Sequence, residues 1–296
     1  MVVSIGMPVF NDMVFLRKAV DSILSQSHTD FELILSDDCS SDGSAEVCKE
    51  YATRDPRVRY IRQGKNIGIS HNMRFLLDQA QGEYFMWAAN DDVWHPDFIK
   101  HLLAGFKKKP EAISSFCAYV YINEDDKVIS ELRVFDYSGA SGCERIKKLV
   151  RWNDDAFGYG LFRRDRISAV RFPVWWWINA KCAYNNIYPT LCYYLAKGDF
   201  VLNTDQPLWL NRMKSEGHVH HKVPYENSFI RGYVAFCLRK FNLVACCLVQ
   251  VVRAEKGLKT FFGVFPRIVF SWFLIPTLLG IKGWYGRYRR REISLW

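Results

Sequence analysis

Residues 31–44 have the sequence FELILSDDCSSDGS, in which an apolar, β-rich run gives way to a polar cluster and then to a helical pattern. Residues 84–92, YFMWAANDD, repeat this arrangement, and Pro96 opens the next helical pattern. Such alternation of short β-rich runs with helical patterns is typical of a parallel sheet built from βα units. In open α/β folds, ligands bind at the carboxyl ends of the strands. The sequence therefore predicts that two acidic clusters meet at one edge of a sheet.

The predicted elements divide the chain into three segments. Residues 1–105 show the regular βα alternation, and residues 106–222 are less regular. Residues 223–296 consist of apolar stretches interrupted by Lys and Arg, without an uncharged run of 18 residues. The predicted strands cover residues 2–9, 31–36, 57–62, 84–88 and 113–122, and the predicted helices cover 12–27, 44–53, 69–80 and 187–196.

Composition and charge indicate anionic partners. The chain has 40 Lys and Arg residues against 31 Asp and Glu residues, and its net charge is +9. Four arginines between Arg287 and Arg291 follow an apolar run, which favours a membrane surface over nucleic acid. The alternative for this tail is a core helix pair with a basic solvent face. The nine cysteines show no metal-binding spacing, and the sequence starts without a leader pattern, so we expect a cytoplasmic protein.

The two acidic pairs are the first candidates for chemistry. Asp91 and Asp92 repel each other at the end of a predicted strand, and a divalent ion such as Mn²⁺ or Mg²⁺ would relieve that repulsion. Such an ion can bridge nucleotide phosphates. Asp37 and Asp38 occupy the matching position after the second strand, where a carboxylate can accept a hydrogen bond from a base. The alternative for both pairs is a structural role as turns or helix caps.

An ordered series of short motifs runs through the first hundred residues and resembles glycosyltransferase family 2. The series comprises VSIGMPVFN (residues 3–11), SILSQS (22–27), FELI (31–34), SDDCS (36–40), NIG (66–68), GEY (82–84) and NDD (90–92). Several linked motifs in one structural context are far more specific than any single motif. The resemblance implies a GT-A fold, which is an α/β nucleotide-binding sheet, and transfer of a sugar from a nucleotide sugar with inversion at the anomeric carbon.

The resemblance also implies roles for individual residues. Asp38 would bind the nucleotide base, typically uracil, and Asp91 would contact the ribose or a metal-bound water. Asp92 would hold the divalent metal, and both Asp91 and Asp92 would therefore be catalytic. The remaining candidates for the nucleotide pocket are Pro8, Val9, Phe10, Asn11, Asn66 and Asn72.

The sequence departs from the family at the expected general base. The family supplies an Asp at the start of a helix in its second half, whereas Asn185 and Asn186 precede the helix predicted at 187–196. An amide cannot act as a base near neutral pH. Either the alignment is shifted, or Asp154 or Asp155 serves as the base, or the acceptor is a phosphate that needs none. We take Asp155 as the candidate, with a solvated loop as the alternative.

A histidine-containing loop offers a further candidate for the metal site. His218 lies in a Gly-containing loop of the second half, and some GT-A enzymes complete the metal shell with a C-terminal histidine. The alternative is an ordinary surface loop.

Together these features predict a metal-dependent glycosyltransferase on the cytoplasmic face of a membrane. Residues 1–105 would bind the nucleotide sugar, residues 106–222 the acceptor, and residues 223–296 would form a helical, membrane-associated extension. The expected donor is a UDP-sugar, and the expected acceptor is a lipid-linked or cell-surface saccharide. One alternative is a nucleotidyltransferase, although residues 7–11 lack the basic residues of its phosphate loop. The other is a non-catalytic protein that binds nucleotide sugars.

Overall fold

The computed structural model describes residues 2–172, 187–214, 229–254 and 259–275. Within these residues the strands are β1 (Val3–Val9), β2 (Phe31–Asp37), β3 (Val58–Arg62), β4 (Tyr84–Trp87), β5 (Val93–Trp94), β6 (Ser114–Ile122), β7 (Leu161–Arg163) and β8 (Phe200–Arg212). The helices are α1 (Met13–Leu24), α2 (Ser44–Arg54), α3 (Ile69–Gln79), α4 (Phe98–Lys108), α5 (Gly142–Trp152), α6 (Arg164–Ile167), α7 (Ile187–Lys197), α8 (Phe229–Ala254) and α9 (Lys259–Ile268). A 3₁₀ turn covers Ala156–Tyr159, and a π-helical turn, Val269–Leu274, follows α9.

The strands form one mixed sheet in the order β3-β2-β1-β4-β7-β6-β8-β5. β1 lies between β2 and β4 and runs parallel to both, and β3 continues the parallel half. The apolar side chains of this parallel half are buried because helices cover the sheet. In α1, the side chains that pack against it are Leu16, Val20 and Ile23. The structure thus confirms the α/β fold and the predicted parallel order of the first hundred residues.

The second half of the sheet depends on strands that the sequence pattern did not reveal. β7 has three residues and pairs antiparallel with both β4 and β6. β8 runs parallel to β6 with shifts of register between Phe116 and Tyr119 of β6, and β5 pairs antiparallel with the end of β8. This arrangement brings the last residues of β8 beside the loop that follows β4.

The C-terminal helices pack against the body of the fold through one face each. α8 contacts α7, and α9 contacts α5. A side-chain carbon at Gly263 would lie only 2.7 Å from the Cys143 Sγ, so α5 and α9 approach closely there. The side chains that join the core from these two helices are Leu243, Val244, Cys247, Leu248, Val251, Val264 and Ile268. None of the helices in the described residues is both long enough and apolar enough to cross a bilayer.

Candidate active site

Asp38 ties together the loops at the carboxyl edge of the parallel strands. Its backbone N–H donates to the carbonyl of Val9 at 2.8 Å, which joins the ends of β1 and β2. Its carboxylate oxygens accept from the backbone N–H groups of Ile67 at 2.6 Å and Gly68 at 2.9 Å. The side chain is buried, and it fixes the loop between β3 and α3. Both oxygens of this carboxylate are thus already engaged in structural hydrogen bonds. Recognition of a base by Asp38 stays a prediction.

Asp37 and Asn72 are buried below this edge, and their hydrogen bonds fix the end of β2. Asp37 is fully buried and accepts from the Ser40 N–H at 2.8 Å and from the Tyr60 hydroxyl at 3.1 Å. The side chain of Asn72 bonds both to the hydroxyl and, at 2.9 Å, to the carbonyl of Ser36. Because Asn72 is buried, the structure favours a supporting role over the predicted contact with a nucleotide.

The exposed part of the edge comes from the end of β1. Val9 is buried and Pro8 half-buried, whereas the Phe10 ring and Asn11 face solvent. Asn11 has a positive φ of 47°, and its side-chain oxygen accepts from the Ser41 N–H at 2.8 Å. Phe10 and Asn11 are therefore the predicted pocket residues that this structure leaves most accessible. Asn66 is half-buried in the neighbouring loop.

Asp92 points into the protein. Its side chain is 3 % exposed, and one carboxylate oxygen accepts from the Trp209 Nε1 at 2.9 Å while the other accepts from the Arg212 backbone N–H at 2.8 Å. Burial, and then the charge of Asp91, raise the pKa of Asp92 to about 8, against the opposing effect of these hydrogen bonds. Metal binding by Asp92 stays a prediction, but its placement favours a structural role.

Arg212 fixes the same loop from the end of β8. Its side chain is fully buried, and the guanidinium donates to the carbonyls of Asp91 at 2.7 Å and Asn123 at 2.6 Å. The guanidinium carbon also lies 4.4 Å from the centroid of the Phe15 ring. Sequence reasoning missed Arg212 and Trp209, since they lie about 120 residues from the acidic pair and carry no motif.

Asp91 points toward the carboxyl edge. Its side chain is 20 % exposed, and Oδ2 lies 2.8 Å from the Nζ of Lys214, which also contacts Asp12. Burial lowers the pKa of Lys214, but the charges and hydrogen bonds of Asp91 and Asp12 outweigh it, so the pKa lies above its ordinary value. The described residues hold no group of three side chains able to enclose a metal ion. His218, the other predicted metal ligand, lies outside the described residues.

The two acids of the second half have different surroundings. Asp154 is buried; its carboxylate accepts from the Tyr119 hydroxyl and, at 3.1 Å, from the Ala156 N–H. Asp155 is exposed to solvent. Desolvation by neighbouring protein atoms, and then the charge of Asp154, raise the pKa of Asp155. Asn185 and Asn186 lie outside the described residues.

Tyr159 connects Asp155 to the acidic pair. Its ring packs on the Trp209 indole at a centroid distance of 4.9 Å, and Trp209 in turn holds Asp92. Burial, and then the charges of Asp92, Asp155 and Asp91, raise the pKa of the Tyr159 hydroxyl well above its ordinary value. The charges of all three carboxylates act on this one phenol, so Asp155 belongs to the same part of the fold as Asp91.

Comparisons with known proteins concern the family and the fold of this chain. The sequence profile of glycosyl transferase family 2 matches residues 4–181. The putative teichuronic acid biosynthesis glycosyltransferase TuaG of Bacillus subtilis is 30% identical over 142 residues, which cover 47% of this chain and 56% of TuaG. The Campylobacter jejuni GalNAc(5)-diNAcBac-PP-undecaprenol beta-1,3-glucosyltransferase is 27% identical over 199 residues, covering 66% and 62%. The chain thus spans less than two thirds of the length of either relative.

Solved structures share the fold at low sequence identity. Residues 1–349 of S. aureus TarS, in complex with UDP-GlcNAc, superpose with a TM-score of 0.67 at 14% identity, covering 92% of this chain and 74% of that chain. The Pyrobaculum calidifontis mannosyltransferase PcManGT, in complex with GDP-Man and Mn²⁺, gives a TM-score of 0.50 at 14% identity, covering 91% and 73%. At such identities the likeness concerns the fold alone. Since the family profile extends over more than half of the 296 residues, the chain belongs to glycosyl transferase family 2.

Proposed function

We propose that this chain transfers a sugar, with inversion, from a UDP-sugar to a lipid-linked or cell-surface saccharide. The observation that carries this proposal is the position of Asp91, whose partly exposed carboxylate stands at the carboxyl edge beside the end of β1. Membership of family 2 supports a nucleotide-sugar donor over the chemistry of a nucleotidyltransferase. The complex of TarS with UDP-GlcNAc supports UDP, and the name of the Campylobacter relative supports a polyprenol-linked acceptor.

On the donor side, Phe10 and Asn11 would contact the nucleoside. Asp38 would either bind the base or fix the loop between β3 and α3. Mn²⁺ or Mg²⁺ fits Asp91 because its carboxylate is a hard oxygen ligand facing the edge, and such ions are commonly held by one or two carboxylates plus substrate phosphates. When bound, the ion supplies positive charge to the departing diphosphate. Asp92 would act by positioning: through Trp209 and Arg212 it fixes the backbone from which Asp91 projects.

On the acceptor side, we propose Asp155 as the general base. The acceptor hydroxyl must lose a proton as it attacks the anomeric carbon, and a base works best when its pKa approaches the working pH. The raised pKa and the exposure of Asp155 meet this requirement, whereas Asp154 is buried and already accepts hydrogen bonds. Asp155 would receive the proton from the acceptor hydroxyl, and the sugar would leave the diphosphate in the same step.

The C-terminal helices would attach the enzyme to the cytoplasmic face of a membrane. Their inner faces are packed in the core, but Phe262 is 66 % exposed and Phe270 is 59 % exposed. Phe241, Val249 and Phe265 are also exposed. Large exposed apolar patches mark interaction sites, and the arginines of residues 287–291 would add attraction to anionic headgroups. Such an attachment would bring the enzyme to a lipid-linked acceptor.

A donor screen tests the proposed activity. The purified protein is incubated with Mn²⁺ and a panel of UDP-, GDP- and dTDP-sugars, and release of the nucleoside diphosphate is followed with and without a polyprenol-linked glycan. We expect release from a UDP-sugar, and faster release when the acceptor is present. Binding of a donor without any release or transfer would favour the non-catalytic alternative, and a response to GDP-sugars alone would overturn the choice of UDP.

A further inference from the structure

Lys214 holds an unusual position at the carboxyl edge. It follows β8 by two residues, and its side chain is only 13 % exposed. The Nζ lies 2.8 Å from the Oδ2 of Asp91 and also contacts the carboxylate of Asp12. Asp12 stands between β1 and α1, and Asp91 follows β4, the strand beside β1. One ammonium group therefore links the two loops that border the proposed donor site.

The loop that carries Asp91 is also held by residues other than Lys214. A second cation, Arg212, already fixes the backbone of Asp91, and Asp92 is held separately by Trp209. The Asp91 loop thus has other anchors that do not involve Lys214. A divalent ion on Asp91 would compete with the ammonium for the same carboxylate, since like charges repel strongly at such short distances. The ammonium would then lose one of its two anionic partners.

The donor can replace that partner. A nucleotide sugar brings a diphosphate to the carboxyl edge of the sheet, and a lysine ammonium on a flexible four-carbon stem binds phosphate as a mobile point charge. We infer that Lys214 binds the donor diphosphate, and that Asp12 and Asp91 hold it beside the site until the donor arrives. This inference rests on the proposed function, because it takes a nucleoside diphosphate as the leaving group. It adds a substrate-binding residue and predicts that Lys214 restrains metal binding before the donor is present.

Binding measurements without turnover test this role. The affinity of the full chain for UDP is measured at saturating Mn²⁺ and again with EDTA, in the wild type, Lys214→Met and Lys214→Gln; the Gln variant keeps a polar group between the two carboxylates. Lys109→Met is the matched control. Lys109 also pairs with a partly buried aspartate, Asp199, but at the starts of β6 and β8, the opposite edge of the sheet.

We expect both Lys214 variants to bind UDP at least tenfold more weakly than the wild type, and Lys109→Met to stay within twofold. Electron paramagnetic resonance of Mn²⁺ without nucleotide should show at least threefold tighter metal binding in the Lys214 variants. If both folded variants bind UDP like the wild type at saturating Mn²⁺ and with EDTA, Lys214 does not bind the diphosphate. If Mn²⁺ binding does not tighten, the competition for Asp91 is refuted.

Inorganic pyrophosphate separates this inference from the proposed donor. Wild-type protein that binds pyrophosphate in a Lys214-dependent way, but does not bind UDP, would keep the role of Lys214 and overturn the choice of uridine. Wild-type protein that binds neither probe would overturn both proposals. Binding of UDP without any dependence on Lys214 would overturn only the inference.

Discussion

Replacing Asp92 by Asn tests whether this residue acts through structure. Asn has one acceptor oxygen where Asp92 uses two, so either the Trp209 indole N–H or the Arg212 backbone N–H would face an amide NH₂. A buried donor left without a partner costs about 1–3 kcal/mol. For 296 residues this corresponds to a fall of roughly 2 to 5 °C in the melting temperature.

Replacing Asp91 by Asn should differ from this in its effect on binding. Asp91 and Lys214 are only 20 % and 13 % exposed, so the substitution leaves a largely buried ammonium that keeps one anionic partner, Asp12. The melting temperature should therefore fall as well, and UDP binding is the measurement that separates the two variants. Binding of UDP in the presence of Mn²⁺ should weaken by at least about a hundredfold, as expected when a charged ligand of a hard cation is replaced by a neutral amide. Asp92→Asn should bind UDP and Mn²⁺ within about fivefold of the wild type.

Both effects are measured on the same samples, by thermal unfolding and by equilibrium binding of UDP with and without Mn²⁺ at pH 7. Asp165→Asn serves as the control, because Asp165 is an exposed carboxylate on α6. The reasoning would be refuted if Asp92→Asn lost metal-dependent binding while Asp91→Asn kept it. That result would return the metal to Asp92, the residue that sequence motifs alone favoured.

Two further predictions concern the acceptor side and the C-terminal helices. Asp155→Asn should lower kcat by about 10²- to 10⁴-fold with little change in UDP affinity. A base must be ionised, so the raised pKa of Asp155 should make the wild-type rate fall with decreasing pH earlier than an ordinary Asp would; a pH–rate profile that stays flat to pH 4 would contradict this role. Phe262→Ser combined with Phe270→Ser should lower partitioning onto anionic vesicles at least about tenfold, because each inserted ring is worth roughly 1.5–3 kcal/mol. Val128→Ser, at another exposed apolar residue, is the control, and equal sedimentation of all variants with vesicles would refute the attachment.

The parallel half of the fold could be predicted because its periodicity is local. The helix predicted at 69–80 is observed at Ile69–Gln79, and the strand predicted at 31–36 is observed at Phe31–Asp37. Each element there buries an apolar pattern against its sequence neighbours. β7 and β8 were missed for the opposite reason. β7 has three residues, and the middle of β8 is exposed and polar, so both strands depend on distant partners.

The orientation of single side chains in the candidate site also depends on distant partners, so the sequence could not predict it. The sequence placed Asp91 and Asp92 at the carboxyl edge, but two adjacent carboxylates cannot be told apart by type. What separates them is β8, whose Trp209 and Arg212 turn one carboxylate inward and leave the other at the edge. Asn72 is a similar case, since only the packing of α3 on β2 directs its amide to Ser36.

The C-terminal helices explain why two interpretations of the tail could not be separated by sequence. A core helix pair and a membrane-binding segment both predict abundant apolar residues with basic neighbours. In the structure one helix combines both features: Val264 and Ile268 of α9 are buried, while Phe262 and Phe265 are exposed. Deleting α9 would therefore remove core contacts with α5 together with any membrane contacts, and loss of activity would not identify the cause. Substitution of the outward phenylalanines leaves the inner face intact, so only that change can separate attachment from folding.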